Sequence, residues 1–369
     1  MANRSMSVDR PTQRSTVTGA FTVVHVTESF ASGTAAAIRD YARNYPSGEH
    51  HLVYARRAEA AVSRTEFAGF TCVTELPDGH LARLRFLRRY TEGLSGPVVV
   101  HAHSSKGGVY ARVALRRSAR RPIVYSPHCY AFERRDVGMP VRAAFRAAEW
   151  ALSLNTSCYG VCSPREAALS RWPMTKPRVV TVPNVAGPCA VPSGGESASV
   201  TPLCVVGNGR LGPQKDPEFF ADAVAHARVA HPELRAVWIG DGDPKYAQYL
   251  ADRGVEVTGW LPRTQALAEL ARGDVYLHTA AWEGLPISIL EADAAGLPVV
   301  ARAMPYLDGL PMPLTVAVPT DFAEVLSRLG TAGARGAARD ATRVTLADNC
   351  DGSQQVALKE LYGPYAGAR

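Results

Sequence analysis

The chain has 369 residues, 46% of them hydrophobic and 20% charged, which is typical of a globular protein with room for two domains. Its net charge of +7 comes mainly from arginine, and no nucleic-acid recognition motif accompanies that charge, so no nucleic-acid partner is expected. The seven cysteines include no C-x-x-C pair, which excludes a disulfide framework or a zinc site of the usual spacing.

The first residues of the chain are polar. Residues 1–18 are rich in Arg, Ser and Thr and predict a disordered N-terminus. No apolar signal-peptide segment precedes Phe21, and no uncharged apolar run is long enough to cross a membrane. These features predict a cytoplasmic protein and leave open a peripheral position at the inner face of the membrane.

From Phe21 onward, short β-rich runs alternate with helical stretches, which predicts an α/β fold made of βαβ units with parallel sheets. Residues 19–186 are expected to form a first Rossmann-like domain. The predicted strands of this domain are 21–26, 51–55, 71–75, 98–101, 123–126 and a short strand that ends at 181–182, and a helix is predicted at 35–45.

Residues 187–201 are rich in Pro, Gly and Ser and predict a linker. The alternation then restarts, so we expect a second Rossmann-like domain at 202–347 and a final helix at 348–369. The predicted strands of the second domain are 203–207, 236–240, 255–259, 275–278 and 299–301, with helices near 218–230, 245–253, 264–271 and 283–295. Two such domains form a cleft, and ligands bind at the carboxyl ends of parallel strands.

One segment of the second domain carries the most specific pattern. Glu283 and Glu291 lie eight residues apart, with Gly-Leu-Pro at 284–286 between them and a second Gly-Leu-Pro beyond them. Pro286 suits the first turn of a helix, which places Glu283 in the preceding loop and Glu291 inside the helix. The N–H groups of a helix start suit a diphosphate, and carboxylates suit sugar hydroxyls. A solvated helix face also offers such glutamate pairs, but the two Gly-Leu-Pro turns favour a binding site.

This order of parts resembles the E-x7-E motif of GT4-like retaining glycosyltransferases with the GT-B fold. The resemblance covers nearly the whole chain from Phe21 and is specific over 204–300. It implies two Rossmann-like domains that face a cleft, and a C-terminal helix that crosses back to the first domain. It also implies that a nucleoside-diphosphate sugar is bound by Glu283, Gly284, Leu285, Ile287 and Glu291, with Glu283 orienting the sugar and Glu291 holding the ribose.

The segment 207–216, Gly-Asn-Gly-Arg-Leu-Gly-Pro-Gln-Lys-Asp, resembles the family's G-R-L-x-x-x-K-D/G element. The resemblance implies that Arg210 and Lys215 bind the donor diphosphate. Two cations at a glycine-rich turn would stabilise the charge that develops on the leaving group. A P-loop is rejected because the segment lacks G-K-S/T, and an ordinary surface loop is the remaining alternative.

Histidines follow two predicted strands of the first domain. The family carries a histidine in the context of His128, facing the donor sugar, which implies that His128 bonds to a sugar hydroxyl. His101 and His103 point the same way from one strand end and suggest a metal, but no third ligand is visible in the sequence. We therefore interpret them as packing residues near the acceptor cleft, with His103 and Ser104 as acceptor-side candidates.

Two loops depart from the family pattern. The loop 27–34 keeps only Gly33 where the family usually has a Gly-Gly pair, so Gly33 is a donor-side candidate whose phosphate contact is in question. The segment 301–308 has neither the family's glycine pair nor its Glu. These departures leave open an inactive nucleotide-sugar-binding partner subunit, and a GT-B sugar-nucleotide epimerase is a further alternative.

The implied reaction is transfer of a hexose-type sugar from a UDP- or GDP-sugar to an acceptor hydroxyl, with retention of configuration by a front-face route. No metal or other cofactor is expected, since GT-B transferases generally need none and no Asp-x-Asp stands at a predicted strand end. The acceptor is left open as a sugar, a lipid-linked sugar or a small molecule, in polysaccharide, glycolipid or secondary-metabolite biosynthesis.

Arginine-rich runs at 81–90 and 110–121 predict two basic amphipathic helices. In this family the first domain faces the acceptor, often at an anionic membrane. A basic residue near such a surface contributes roughly 1 kcal/mol of binding. Contact with an anionic membrane surface and an ordinary solvated face both explain these runs.

Overall fold

The computed structural model describes residues 21–55, 64–187 and 203–367. The predicted disordered segment 1–18 lies outside the described residues, and so does the predicted linker beyond Gly187. No helix of these ranges combines the length and the apolar character that a membrane span requires.

The first domain is built on a parallel sheet. Its described strands are β1 (Thr22–Thr27), β2 (Glu49–Tyr54), β3 (Cys72–Glu75), β4 (Val98–His103), β5 (Ile123–Ser126), β6 (Cys158–Val161) and β7 (Arg178–Thr181). They pair in the order β3-β2-β1-β4-β5-β6-β7, which has the doubly wound arrangement of a Rossmann-like domain. Strands such as β4 are buried along their whole length, because helices cover both faces of the sheet.

Helices α1 (Ser32–Asn44), α2 (His80–Glu92), α3 (Ser104–Ala114), α4 (Met139–Ser153) and α5 (Pro164–Leu169) belong to this domain. Leu87 of α2 and Ala111 of α3 share one core cluster with Val24 and Val100 of the sheet. Tyr41 of α1 lies in another cluster, on the opposite face of the sheet. The helices therefore divide between the two faces.

The second domain repeats this plan. Its described strands are β8 (Cys204–Asn208), β9 (Arg235–Ile239), β10 (Glu256–Val257), β11 (Val275–His278), β12 (Val299–Arg302) and β13 (Thr315–Val316). Its helices are α6 (Pro217–Arg228), α7 (Pro244–Ala251), α8 (Arg263–Leu270), α9 (Ile287–Ala294), α10 (Asp321–Arg328) and α11 (Ala332–Thr345). The strand order β10-β9-β8-β11-β12-β13 is that of a Rossmann-like sheet, so both predicted α/β units are confirmed.

The last helix, α12 (Asp351–Ala366), packs on the first domain. Leu358 and Leu361 join the core cluster of Tyr41. Asn44 of α1 donates a hydrogen bond to Gln354 at 2.6 Å. The predicted crossing of the C-terminal helix is therefore confirmed.

The prediction of a second basic helix at 110–121 is wrong over much of its length. Helix α3 ends at Ala114, and 115–121 are irregular. Arg112 does not face solvent: it is buried and pairs with the Glu149 carboxylate of α4 at 2.8 Å. The ion pair joins α3 to α4 in the interior of the domain, so this arginine has a structural role. The first basic helix is confirmed as α2.

Candidate active site

A cleft of about 1030 Å³ lies between the carboxyl ends of the two sheets, near the upper end of the range for ligand pockets. At one point of contact between the domains, Ala36 and Ala37 of α1 pack against Ile287, the first residue of α9. Loops that follow strands of both domains line the cleft. The lining residues from these loops include Glu28, Ser104, His128, Cys162, Arg210, Gly240 and Glu283.

The glycine-rich turn after β8 is held by close backbone packing against the turn after β9. Gly209 and Gly240 have φ angles of 135° and 140°, in the region that favours glycine. A Cβ on Gly240 would lie 2.2 Å from the Gly209 carbonyl oxygen, and one on Gly242 would lie 2.4 Å from that of Leu211. The sequence marked the first turn but not Gly240 and Gly242, although Gly-Asp-Gly at the end of a predicted strand was a usable signal.

Lys215 and Glu283 meet in the cleft. The Lys215 Nζ lies 2.6 Å from Oε1 of Glu283, and both side chains are largely buried. Their loops are tied together by Gln214, whose side chain donates to the Trp282 carbonyl at 3.1 Å and whose carbonyl accepts from Ala281 at 2.8 Å. The two elements that the sequence marked separately thus form one charged centre.

Arg210 stands at the mouth of the same turn, exposed and lining the cleft. Asp216 at the end of the turn caps α6 by accepting from the Phe219 N–H, and Arg302 pairs with its carboxylate at 2.6 Å. These contacts anchor the C-terminal end of the turn.

The Gly-Leu-Pro turn rests on the first domain. A Cβ on Gly284 would lie 2.8 Å from Oε1 of Glu166 and 3.0 Å from Sγ of Cys162, so no side chain fits there. The Leu285 N–H donates to that sulfur at 3.2 Å, and its carbonyl accepts from Asn184 at 2.8 Å. The turn is therefore positioned by side chains of the first domain, none of which the sequence analysis selected.

Helix α9 begins at Ile287 after Pro286, and no side chain caps its start. The N–H groups of Ile287 and Ser288 are thus available to an anion in the cleft, while that of Ile289 donates to the Pro286 carbonyl at 3.1 Å. Glu291 lies inside the helix, as predicted, and burial raises the pKa of its carboxyl above the usual value. Arg263 of α8, which sequence analysis missed, lies 2.7 Å from its Oε1.

Glu283 and Glu291 share a further property. The Oε1 atom of each is buried against a cation: Lys215 Nζ lies 2.6 Å from that of Glu283, and a guanidinium nitrogen of Arg263 lies 2.7 Å from that of Glu291. An ionised carboxylate has several acceptor positions, so ligand hydroxyls can bond to each glutamate beside its cation.

His128 lines the cleft after β5 in a left-handed conformation, with φ of 51°. The next residue, Cys129, is also left-handed, and its N–H donates to the buried Glu166 carboxylate at 2.6 Å. Burial lowers the pKa of His128 to about 4. The ring is therefore neutral at physiological pH and can both donate and accept one hydrogen bond.

The remaining candidates divide between the cleft and the interior. Gly33, in the first turn of α1, and Ser104, at the start of α3, line the cleft. His103 has no exposed surface and lies beneath His128, with its Nδ1 atom 3.0 Å from Nε2 of His128. The structure thus places His103 behind the cleft wall.

A third histidine, His25, lies beside the pair His101 and His103, although nothing in the sequence marked it. Ring nitrogens of His25, His101 and His103 lie within 4.8 Å of one another. His25 stands on β1, directly opposite His101 of β4, and parallel pairing of distant segments brings them together.

Two family models match the chain. The one described as "Glycosyl transferase 4-like domain" matches residues 32–185, and the one described as "Glycosyl transferases group 1" matches residues 202–330. The first range lies in the N-terminal sheet domain and the second in the C-terminal one.

A relative from Escherichia coli is UDP-Gal:alpha-D-GlcNAc-diphosphoundecaprenol alpha-1,3-galactosyltransferase. It is 28% identical over a match 231 positions long, which covers 55% of this chain and 57% of that protein. The chain thus matches a little over half the length of this relative.

Solved structures resemble almost the whole chain. Sucrose-phosphate synthase from Thermosynechococcus elongatus has a TM-score of 0.76 at 17% identity, over 95% of this chain and 100% of that chain. HepE of Anabaena in complex with UDP-glucose has a TM-score of 0.73 at 16% identity, over 93% and 99%. WaaG, a glycosyltransferase involved in lipopolysaccharide biosynthesis, has 0.67 at 16% identity, over 94% and 100%. At these identities the structures establish the GT-B fold alone, and the two family matches, over 32–185 and 202–330, show that the chain belongs to the GT4-like, group 1 glycosyltransferases.

Proposed function

We propose that this protein is a retaining, metal-independent glycosyltransferase that moves a sugar from a UDP-sugar to a hydroxyl of a lipid-linked acceptor. The observation that carries the proposal is the Lys215–Glu283 pair at 2.6 Å, beside the uncapped start of α9 in the interdomain cleft. UDP is favoured over GDP because the E. coli relative is named for a UDP-sugar and HepE was solved with UDP-glucose.

The donor would lie across the cleft with its diphosphate at the start of α9. Arg210 and Lys215 would contact the phosphates, and the first N–H groups of the helix would add hydrogen bonds. Glu291, which lines the cleft, would accept hydrogen bonds from the ribose hydroxyls. Glu283 and His128 would bind hydroxyls of the sugar.

The departing diphosphate gains negative charge as the bond to the anomeric carbon breaks. Lys215 and Arg210 stabilise that charge, and this is their proposed catalytic role. The acceptor hydroxyl would attack from the same side of the sugar, and its proton would pass to the departing phosphate oxygen. The configuration at the anomeric carbon is then retained, and no metal is needed.

The acceptor would approach from the first domain, near Ser104. Exposed arginines of α2, Arg85 and Arg89, lie on a domain surface that continues into the irregular segment 115–121. The two stretches are joined by hydrogen bonds from Arg88 to the Ala114 carbonyl and from Arg121 to the Thr91 carbonyl. We propose that this basic surface contacts an anionic membrane that carries the acceptor.

The proposal is tested by supplying purified protein with UDP-galactose, UDP-glucose or GDP-mannose and a lipid-diphosphate-linked N-acetylglucosamine acceptor. We expect release of UDP that depends on the acceptor, and an α-linked product from an α-linked donor by NMR. A β-linked product would contradict retention. Tight binding of UDP-sugars without transfer or hydrolysis would instead favour the inactive partner subunit.

A further inference from the structure

Four histidines form a continuous hydrogen-bonded chain from the interior of the first domain to the cleft. His50 Nδ1 lies 2.9 Å from His25 Nε2, His25 Nδ1 lies 2.9 Å from His103 Nε2, and His103 Nδ1 lies 3.0 Å from His128 Nε2. Successive ring planes are inclined by only 19°, 25° and 21°, and successive ring centroids lie 5.2 Å apart. With 2.9–3.0 Å between the facing nitrogens, these separations fit rings joined end to end, so an N–H in one ring plane points at the next nitrogen.

The parallel sheet creates this chain by its register. His50 of β2 pairs with Val23, so it lies two residues below His25 along β1, while His103 of β4 pairs with Thr27, two residues above it. All three side chains are on the α1 face of the sheet. His128 follows Ser126, which pairs with His103. From each strand to the next, the histidine thus lies two residues closer to the carboxyl edge of the sheet, where the cleft is.

The inner end of the chain fixes its direction. His50 Nε2 lies 2.7 Å from the Tyr45 carbonyl oxygen, which can only accept, so this nitrogen must carry the proton. Burial keeps His50 and His25 neutral and lowers the pKa of both. In a neutral ring the second nitrogen is an acceptor, so each Nδ1 accepts from the Nε2–H of the next ring. The pattern ends with His128 donating through Nε2 to His103.

We propose that His50, His25 and His103 are positioning residues that hold His128 as its Nε2–H tautomer, so that its Nδ1 lone pair accepts a hydrogen bond from a donor-sugar hydroxyl. Nδ1 of His128 has no hydrogen-bond partner among the described residues, and its side chain lines the cleft. The role at the sugar rests on the proposed function, whereas the tautomer follows from the chain alone.

A metal ion at His25, His101 and His103 is the rival arrangement. In the structure, both nitrogens of His101 are already engaged: Nδ1 by the Tyr362 hydroxyl at 2.6 Å, and Nε2 by Ser126 at 2.8 Å. The 2.9 Å between His25 and His103 is a hydrogen-bond distance. Two nitrogens bound to one tetrahedral zinc would be roughly 3.3 Å apart. The geometry therefore favours the hydrogen-bonded chain.

The first test reads the tautomer directly, without turnover. Protein labelled with 15N-histidine is studied by two-bond 1H–15N correlation NMR at pH 7.5, and His128 is assigned by comparison with a His128→Gln variant. We expect a protonated Nε2 and an unprotonated Nδ1. A proton on Nδ1, a charged ring, or stoichiometric zinc in the purified protein by elemental analysis would overturn the proposal.

The second test changes His50, at the inner end of the histidine chain, in order to reverse the direction of its hydrogen bonds. In His50→Phe the His25 Nε2–H has no acceptor, and a buried unpaired N–H is costlier than an unpaired lone pair. His25 and His103 should then each shift their proton to Nδ1, which leaves His128 protonated at Nδ1. The matched control is His50→Asn, whose side-chain oxygen can take the place of Nδ1 and keep the direction. An unchanged His128 tautomer in a folded His50→Phe variant would contradict the coupling.

Kinetics connect the tautomer to the sugar. We expect His50→Phe to lower kcat/KM for the UDP-sugar about tenfold, the effect of one lost hydrogen bond, while His50→Asn stays within about threefold. Calorimetric affinity for UDP, which lacks the sugar, should stay within about twofold in both variants. Equal loss of UDP affinity would indicate a merely structural role. A wild-type protein with the expected tautomer but no transfer would refute the role at the sugar and the proposed function, while leaving the tautomer assignment standing.

Discussion

Lys215 Nζ lies 2.6 Å from Oε1 of Glu283, and this contact shapes what each residue can do. The carboxylate balances the charge of the lysine, and a diphosphate would compete for the same cation. Arg210, at the mouth of the turn, is exposed and lines the same cleft. We therefore expect Lys215 to act closest to the breaking bond and Arg210 to act on the outer phosphate oxygens.

Lys215→Ala and Arg210→Ala should each lower kcat by about 10²–10³, because each removes a preorganised donor to developing charge. The measurement is initial-rate transfer with saturating acceptor. Arg235→Ala, on an exposed strand end outside the cleft lining, is the control and should keep wild-type rates. Near-normal turnover in both cleft variants would refute the assignment of the diphosphate site.

Changing each glutamate to glutamine should affect different steps, one chiefly the binding of UDP and the other chiefly kcat. Glu291→Gln should weaken UDP binding and raise the donor KM with a smaller effect on kcat, because a ribose contact is made equally in the ground and transition states. Glu283→Gln should lower kcat and leave UDP binding intact or tighter, since it releases the charge of Lys215. Calorimetry with UDP and steady-state kinetics separate the two. The opposite ranking would mean that the two roles are reversed.

At the scale of elements, the donor site depends on two turns that touch through their backbones. The turn after β8 could not lie where it does if Gly240 carried a side chain. The same holds for the Gly-Leu-Pro turn, which sits on Glu166 and Cys162 of the first domain. The positions of Arg210, Lys215 and Glu283 are therefore set by packing around glycines.

Gly240→Ala should displace the turn after β8. The φ of 140° and the 2.2 Å approach to Gly209 both oppose a Cβ, so we expect a loss of about 1–3 kcal/mol of unfolding free energy together with weaker UDP binding. Gly212→Ala is the matched control: it also lines the cleft, but its Cβ would meet nothing within 4 Å. Urea unfolding and calorimetry on both variants test this, and equal behaviour of the two would refute the packing argument.

At the scale of the whole molecule, buried neutral histidines make stability depend on pH. Burial lowers the pKa of His25, His101, His103 and His278 well below 6.5 and that of His128 to about 4. Below about pH 6.5 these histidines bind protons in the unfolded chain but stay neutral in the folded protein. The free energy of unfolding therefore decreases as the pH falls toward 4. Carboxyls with raised pKa, such as Asp40 at about 6, oppose this trend.

We expect the unfolding free energy, measured in urea, to decrease between pH 7 and pH 5. His128→Asn should reduce that slope by up to about 1.4 kcal/mol per pH unit, because it removes one group that titrates only in the unfolded state. Parallel slopes for wild type and variant would mean that His128 is protonated in the folded protein, against the lowered pKa.

Chelation should leave transfer largely intact. The proposed charge stabilisation uses Arg210, Lys215 and the start of α9, so EDTA treatment followed by dialysis should retain most of the activity. Full loss that Mn²⁺ restores would contradict the metal-independent chemistry, and loss that Zn²⁺ restores would implicate the histidine cluster instead.

The sequence by itself predicted the two α/β units and the two charged motifs, because these depend on local signals, whereas the crossing of the final helix was implied only by the family resemblance. Alternating apolar runs, Pro286 before a helix and glycines after a strand act within a few residues. Some short strands were not predicted, because they contain too few residues to give such a signal. Strand β6, for example, is only Cys-Tyr-Gly-Val and includes a glycine. The burial of Arg112 could not be predicted from the local pattern either, since its partner Glu149 lies on another helix.

Only the tertiary structure decided which side chains meet. Lys215 and Glu283 are joined across two strand ends, Glu166 supports Gly284, and four histidines on separate segments align into one chain. The physical reason is strand register: parallel pairing places residues from distant segments at fixed heights on one sheet face. No spacing within a single segment encodes that height, so the charged centre and the histidine chain appear only once the sheets are assembled.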